Sequence, residues 1–352
     1  MRELTNQGLS SCFSGDLFLY FSPVCSGSHG LRTRDIILPP FSHRVNFADK
    51  ERMHLLNKLV VATLPAVPKP VVRLFANRYI AGDTIDDAIR CVKQLNSEGA
   101  CATMDVLGED VTQEEDAVRM RLQSIEVLHT IAREGLNSNL SIKLTSLGLK
   151  LGVDLCADNV HEILTVASDY DTFVRFDMED SSCTSETIAI FQKAHSEFPR
   201  TGIVVQAYMR RSDEDVRMLA SNGTNFRLCK GIYREPPHIA WQGREEVQEN
   251  FIRLLKIMFD HGCYVGIATH DSLLIDAASG MIRAMKLRKD QYEFQMLLGV
   301  RPELRRKLVR EGHTVRLYVP FGENWYGYSM RRFKENPEIA GYVFKALFKR
   351  NA

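Results

Sequence analysis

Four charged residues interrupt short apolar runs that otherwise read as buried strands: Lys143 in LSIKLTSLG, Asp177 in TFVRFDMED, and Arg227 and Lys230 in NFRLCKGIY. An ionised group inside a packed strand is costly unless it is paired or used. Each of the four alone fits a buried structural ion pair. Together they point to a site for an anionic or zwitterionic ligand. Other polar or reactive residues stand at the ends of similar runs: Asp105 and Glu109 in CATMDVLGE, Gln206 in TGIVVQAYM, Thr269 and His270 in CYVGIATHD, Gln295 in YEFQMLLGV and Tyr318 in TVRLYVPFG. The adjacent pair Arg331 and Arg332 in WYGYSMRRFKENP can grip a carboxylate bidentately, each charge-assisted bond contributing roughly 1.5 to 3 kcal/mol. A solvated basic face with Glu335 as its partner is the alternative reading. A metal site is not expected, because the histidines are dispersed and His270 has only Asp271 beside it. No serine has a nucleophile-elbow context.

The elements that must position these residues follow from the periodicity. Eight apolar runs, starting near 101, 140, 172, 202, 225, 263, 292 and 314, alternate with amphipathic stretches such as EEDAVRMRLQSIEVLHTIAREG and REEVQENFIRLLKIMFDHG. Strands alternating with helices imply parallel pairing through right-handed crossovers. Eight such units over this length predict an α/β fold, a (β/α)8 barrel of the TIM type, with the site at the carboxyl ends of the strands. Ser212 and Thr184 are expected to cap helices, and Gly135 and Gly262 to end them. An open doubly wound sheet is the runner-up, but neither a GxGxxG turn nor a GxxxxGK[ST] loop is present.

Composition sets the outer bounds. The 352 residues are 45% hydrophobic and 25% charged, with 45 basic against 44 acidic side chains. Those proportions exclude disordered, collagen-like and coiled-coil classes, and a formal charge of +1 gives no field to attract nucleic acid. The eight cysteines form no CxxC pair and read as reduced, mostly buried thiols of a cytosolic protein. No apolar run reaches the roughly 20 residues that span a bilayer, and the first residues make a poor signal peptide. Residues 1–46, rich in Ser, Gly and Pro, are expected to be a poorly ordered extension, 47–100 a helical segment and 101–352 the catalytic barrel. Translation starting at Met53 would explain that extension; an intact mass beginning at Met1 in protein from its source would sink the idea. The stretch LLNKLVVATLPAVPKPVVRLF reads as a helix packed on the barrel, with a membrane-surface helix as the alternative.

Four ordered motifs, RLCKGIYRE, GIATHD, YEFQMLLGV and RLYVPFGENWYGYSMRRFKENP, resemble the proline dehydrogenase family, the flavin-dependent enzymes of proline catabolism, in its single-function bacterial form. The resemblance runs from about Met53 to the C-terminus, and no aldehyde dehydrogenase half or DNA-binding segment is seen. It implies a distorted (β/α)8 barrel that holds FAD and oxidises L-proline to Δ1-pyrroline-5-carboxylate. Electrons would pass to a membrane quinone, and a separate pyrroline-5-carboxylate dehydrogenase would act downstream. Such an enzyme would be cytoplasmic and peripherally associated with the inner face of the cytoplasmic membrane.

By the same resemblance, Lys143, Arg331 and Arg332 would bind the substrate carboxylate, Tyr318 would pack on the pyrrolidine ring and Leu297 would add apolar wall. Asp177 and Arg227 would be catalytic, Arg227 lying against the reactive flavin nitrogen. Met178, Gln206, Cys229, Lys230, Gly231, Ile232, Thr269 and His270 would line the FAD site, Gly231 because a close cofactor tolerates no Cβ. Glu109 would pair with Arg331 as a gate. The chain departs from the family pattern in reading CKGIY for VKGAY and in placing Asp271 where Asn is common. Three alternatives stay open: hydroxyproline as substrate, a class I aldolase using Lys143 or Lys230, and a membrane-associated regulatory protein.

Overall fold

The computed structural model describes residues 69–108, 110–220 and 223–335, with the backbone alone for helix positions 70, 71, 74, 75 and 331–335. The apolar runs form eight parallel strands: β1 (Cys101–Val106), β2 (Ser138–Ile142), β3 (Val174–Phe176), β4 (Thr201–Gln206), β5 (Asn225–Cys229), β6 (Val265–Ala268), β7 (Tyr292–Leu297) and β8 (Val315–Phe321). They pair in chain order, and β8 closes on β1 from Cys101↔Arg316 to Val106↔Phe321. Two helices precede the barrel, α1 (Lys69–Ala76) and α2 (Ile85–Ser97). One follows each strand: α3 (Glu114–Arg133), α4 (Val153–Asp169), α5 (Thr184–Glu197), α6 (Ser212–Ala220), α7 (Arg244–Asp260), α8 (Ser272–Ala284), α9 (Pro302–Arg310) and α10 (Trp325–Glu335). The closed barrel is the expected (β/α)8 fold and not the open sheet.

Side chains of a strand alternate between two faces, and here the two faces differ in chemistry. One set, including Met104, Leu140, Phe176, Ile203, Phe226, Ile267, Phe294 and Leu317, is buried in the main core. Phe176 meets Phe191 of α5 edge-on, with ring centroids 5.4 Å apart, so this set faces the helices. The other set is polar and points into the barrel, since its bonds skip strands: Ser141 and Asp177 bond Arg227, and Tyr318 bonds Asp177. Barrel interiors are ordinarily filled by branched apolar residues. This one is filled by charge and hydrogen bonds.

Several strands stop three to six residues before the ends of the apolar runs that contain them. Lys143, Asp177, Lys230, Thr269 and His270 therefore stand just past β2, β3, β5 and β6, where the backbone turns out toward the next helix. Two helix starts also differ from expectation. Ser212 and Thr184 are the first residues of their helices and donate backward, to the carbonyls of Gln206 and Asp180, instead of accepting as caps. Gly135 and Gly262 do end helices, with φ of 59° and 70°.

Of the apolar stretch before the barrel, Lys69–Ala76 is helical; its earlier part, the expected extension 1–46 and Met53 lie outside the described residues. The six described cysteines form no disulfide with one another, and burial pushes Cys91 and Cys263 up to about 11 and Cys156 to about 12. Such thiols are inert at neutral pH. Cys12 and Cys25 lie outside the described residues. No helix among the described residues is long and apolar enough to cross a membrane.

Candidate active site

A cavity of about 950 Å³ opens at the carboxyl ends of the strands, and its wall carries Lys143, Asp177, Met178, Arg227, Cys229, Lys230, Gly231, Ile232, Thr269, His270, Leu297 and Tyr318. They come from six of the eight strands or the loops after them, so barrel closure alone gathers residues 175 positions apart, as for Lys143 and Tyr318.

Asp177 is the hub. Its Oδ1 accepts from Ser141 Oγ at 2.6 Å and from Arg227 NH1 at 2.8 Å, and its Oδ2 accepts from Tyr318 OH at 3.1 Å. Lys143 Nζ donates to Asp105 Oδ1 at 2.6 Å and to Tyr318 OH at 3.0 Å, and lies 3.6 Å from Asp177 Oδ2. Lys143 and Asp177 thus meet at one phenol, Asp105 and Arg227 join through them, and all four charged groups are buried while Tyr318 is half-buried. Burial first, then the Asp105 and Asp177 carboxylates, hold the Tyr318 phenol well above its ordinary range. It stays a neutral donor. Asp105 is fully enclosed, and burial outweighs the attraction of Lys143, raising its carboxyl to about 6. The other edge of Arg227 reaches Gln295, with Nε donating to Oε1 at 2.5 Å. That bond passes over β6 at Gly266, where a Cβ would sit 2.3 Å from the Gln295 carboxamide.

Gln206 lies behind the cavity wall. Its Nε2 donates to the carbonyls of Met178 and Glu179 at 2.9 and 2.8 Å, which fixes the amide orientation and leaves Oε1 buried without a partner. It is an acceptor for which the described residues supply no donor. At Gly231, φ is +106° and an added Cβ would overlap the Tyr208 ring at 2.1 Å. The packing of Tyr208 by itself already requires a glycine here, in the wall of the cavity. His270 Nε2 accepts from the Leu297 N–H at 3.0 Å. Asp271 caps α8 through the Leu273 N–H and gathers Gln248, Lys230 and Arg244. An aspartate thus serves at this position with two cations around it.

Three expected residues cannot be placed with the others. Glu109 lies outside the described residues, and Arg331 and Arg332 fall on α10, in the expected helix, with side chains outside the description. Conversely, Asp105 and Gln295 were visible as strand-end residues but had no role assigned, and Ser141 was not singled out. Tyr79 and Tyr328, which also line the cavity, carry no sequence signal beyond being aromatic. Among the described residues no cluster of three His, Cys, Asp or Glu side chains could hold a metal.

Fold and site together define a (β/α)8-barrel enzyme with a charged, ligand-sized mouth. The proline dehydrogenase family model matches residues 88–344. Proline dehydrogenase 1 of Bacillus subtilis is 40% identical over 79% of this chain and 92% of its own length, and proline dehydrogenase of Deinococcus radiodurans 34% identical over 78% and 90%. Among solved structures, proline utilization A (PutA) from Bdellovibrio bacteriovorus, inactivated by N-propargylglycine, superposes with a TM-score of 0.71 at 25% identity. That match covers 83% of this chain and 35% of the longer PutA chain. The chain belongs to the proline dehydrogenase family.

Proposed function

We propose that this enzyme oxidises L-proline to Δ1-pyrroline-5-carboxylate with FAD as its cofactor and passes the electrons to a membrane quinone. The observation that carries the reading is the shared network at the strand ends, in which Lys143 and Arg227 are both anchored on Asp177 with the neutral Tyr318 phenol between them. A cavity of about 950 Å³ lies near the upper end of the range for ligand pockets and has room for far more than an amino acid. The buried, unpartnered Gln206 Oε1 fits the edge of a flavin, which presents an N–H.

When bound, the flavin supplies the two-electron acceptor for hydride loss from the carbon next to nitrogen. The chain supplies the rest. Lys143, with Arg331 and Arg332, holds the substrate carboxylate, and Tyr318 and Leu297 wall the ring, which fixes the reacting carbon in place. Enclosure in the barrel mouth disfavours the ammonium form of the substrate, so the amine proton is lost before oxidation. Arg227, locked by Asp177 and Gln295, keeps a positive charge facing the place where negative charge develops. Cys229, Lys230, Ile232, Thr269 and His270 form the cofactor side of the wall. Glu109 would close the mouth onto Arg331.

A Schiff-base aldolase is disfavoured, because Lys143 Nζ is held by Asp105 and Tyr318 and Lys230 is paired with Asp271. The crowded Tyr318 wall favours proline over 4-hydroxyproline. The product would go to a separate dehydrogenase. The protein would work in the cytoplasm, in peripheral contact with the inner face of the membrane, with 47–100 as a helical segment ahead of the barrel at 101–352. The test is an anaerobic visible spectrum of the FAD-loaded protein before and after L-proline. Bleaching of the flavin bands supports the reading; failure to take up FAD sinks it, and bleaching by hydroxyproline alone moves the substrate. Flotation with quinone-containing liposomes tests the membrane contact.

A further inference from the structure

Gln295 of β7 sits where two charged layers of the barrel interior meet. Its Oε1 accepts from Arg227 Nε at 2.5 Å, and its Nε2 donates to Glu293 Oε1, two residues earlier on the same strand, at 2.6 Å. Glu293 is held as a carboxylate: burial acts upward on it, but Arg316 outweighs burial, its Nε lying 2.8 and 3.0 Å from the two oxygens. A guanidinium has no acceptor and a carboxylate no donor, so the carboxamide between them satisfies both only one way round. Turned over, it would set N–H against guanidinium and oxygen against carboxylate. Both bonds would be lost where all three side chains are buried.

The fixed amide in turn fixes Arg227. With Nε on Gln295 and NH1 on Asp177 and Ser141, the planar guanidinium is held at two of its three nitrogens and cannot swing. The third, NH2, has no partner among the described residues and is not closed off, in a residue that lines the large cavity. The glycine at 266 keeps the lane between Arg227 and Gln295 open. We propose that Gln295, oriented by Glu293, is a positioning residue: it aims the open NH2 of Arg227 at the flavin and so raises the reduction potential of the cofactor. The inference rests on the FAD reading of this site.

The test is the two-electron reduction potential of the bound flavin in Gln295→Met, which keeps the length of the side chain and removes its acceptor. Losing one bond to a charged group should weaken reduced over oxidised flavin about tenfold, a potential roughly 30 mV lower. Turnover should slow with it while KM for proline changes little, because the substrate carboxylate is held elsewhere. Arg316→Met is the control for a merely structural role: it leaves the Glu293–Gln295–Arg227 chain in place and should shift the potential far less, although it costs stability. Should Gln295→Met fail to fold, Gln295→Asn takes its place; its amide is withdrawn from Arg227 by one methylene, and the same loss is expected. A wild-type potential in the Gln295 variant, or an equal shift in Arg316→Met, would overturn the inference while proline still bleaches the wild-type flavin. A wild-type protein that takes up no FAD would sink the FAD reading and this inference with it.

Discussion

The two ends of the barrel use the same device to different ends. At the carboxyl end, Arg227 of β5 reaches over Gly266 of β6 to the Gln295 carboxamide of β7; at the amino end, Arg175 of β3 reaches over Gly202 of β4 to the Asn225 carboxamide of β5. In both, a glycine on the middle strand gives up its side chain so that an arginine can tie the strands on either side. What differs is the rest of each guanidinium's surroundings. Arg227 and its neighbours are tied mostly to other side chains beside a large cavity, and side-chain partners can be exchanged for a ligand. Arg175 is tied to backbone carbonyls that cannot move without opening the sheet. Charge inside a barrel therefore becomes chemistry where its partners are replaceable, and architecture where they are not.

Arg316→Met gives the sharpest test of that contrast. It strands the buried Glu293, and a stability loss of about 3–5 kcal/mol is expected in urea denaturation. Turnover per folded molecule should be largely kept. Lys143→Met should do the reverse, lowering kcat/KM about 10²–10³-fold while costing less stability than Arg316→Met. Equal stability losses from the two variants would erase the distinction between the ends.

The two ends should also respond to pH in opposite directions. Burial raises the Asp105 carboxyl to about 6, above its unfolded value, so its contribution to stability is present in acid and is lost as pH rises toward 6. Burial acts upward on Glu293 too, but Arg316 and Gln295 outweigh it and the net shift is downward. Its contribution is present above its unfolded value and is lost as pH falls through the lowered one. Asp105→Asn should therefore remove the loss between about pH 4 and 6, and should flatten an ascending limb near pH 6 in kcat/KM, while Glu293→Gln should blunt acid unfolding below about pH 4. The smallest effect belongs to Asp271→Asn. Asparagine caps a helix as well as aspartate, and the lost ion pairs involve exposed partners, so less than about 1 kcal/mol should separate the two in thermal unfolding.

The architecture was legible in the sequence because strand and helix periods alternate without interruption, and the carboxyl-end chemistry because charge inside an apolar run is anomalous. Pairing was not legible. Lys143 could not be matched to Asp105, nor Arg227 to Gln295, since partners 38 and 68 positions apart meet only through barrel closure. The amino-terminal layer did leave a signal. Arg175 precedes Asp177 by two residues, Glu293 precedes Gln295 and Arg316 precedes Tyr318. The same parity places each lower residue on the same inward face as its upper neighbour. Ser212 and Thr184 were misjudged because a hydroxyl at a helix start can either accept or donate, and only the preceding loop decides which.

The ties across the interior also bear on how the chain folds. Ser141 and Asp177 come from the first four strands, and Arg227 and Tyr318 from the last four. Each half makes some of these bonds by itself but leaves Asp177, Arg227 and Tyr318 short of partners, so they stay partly hydrated until the halves meet. Desolvation then falls on the closing step, which makes assembly slow, governed by contacts distant in sequence, and all-or-none. Opening the barrel would have to sever several of these bonds at once, so the interior that equips the protein for its reaction also resists unfolding in time.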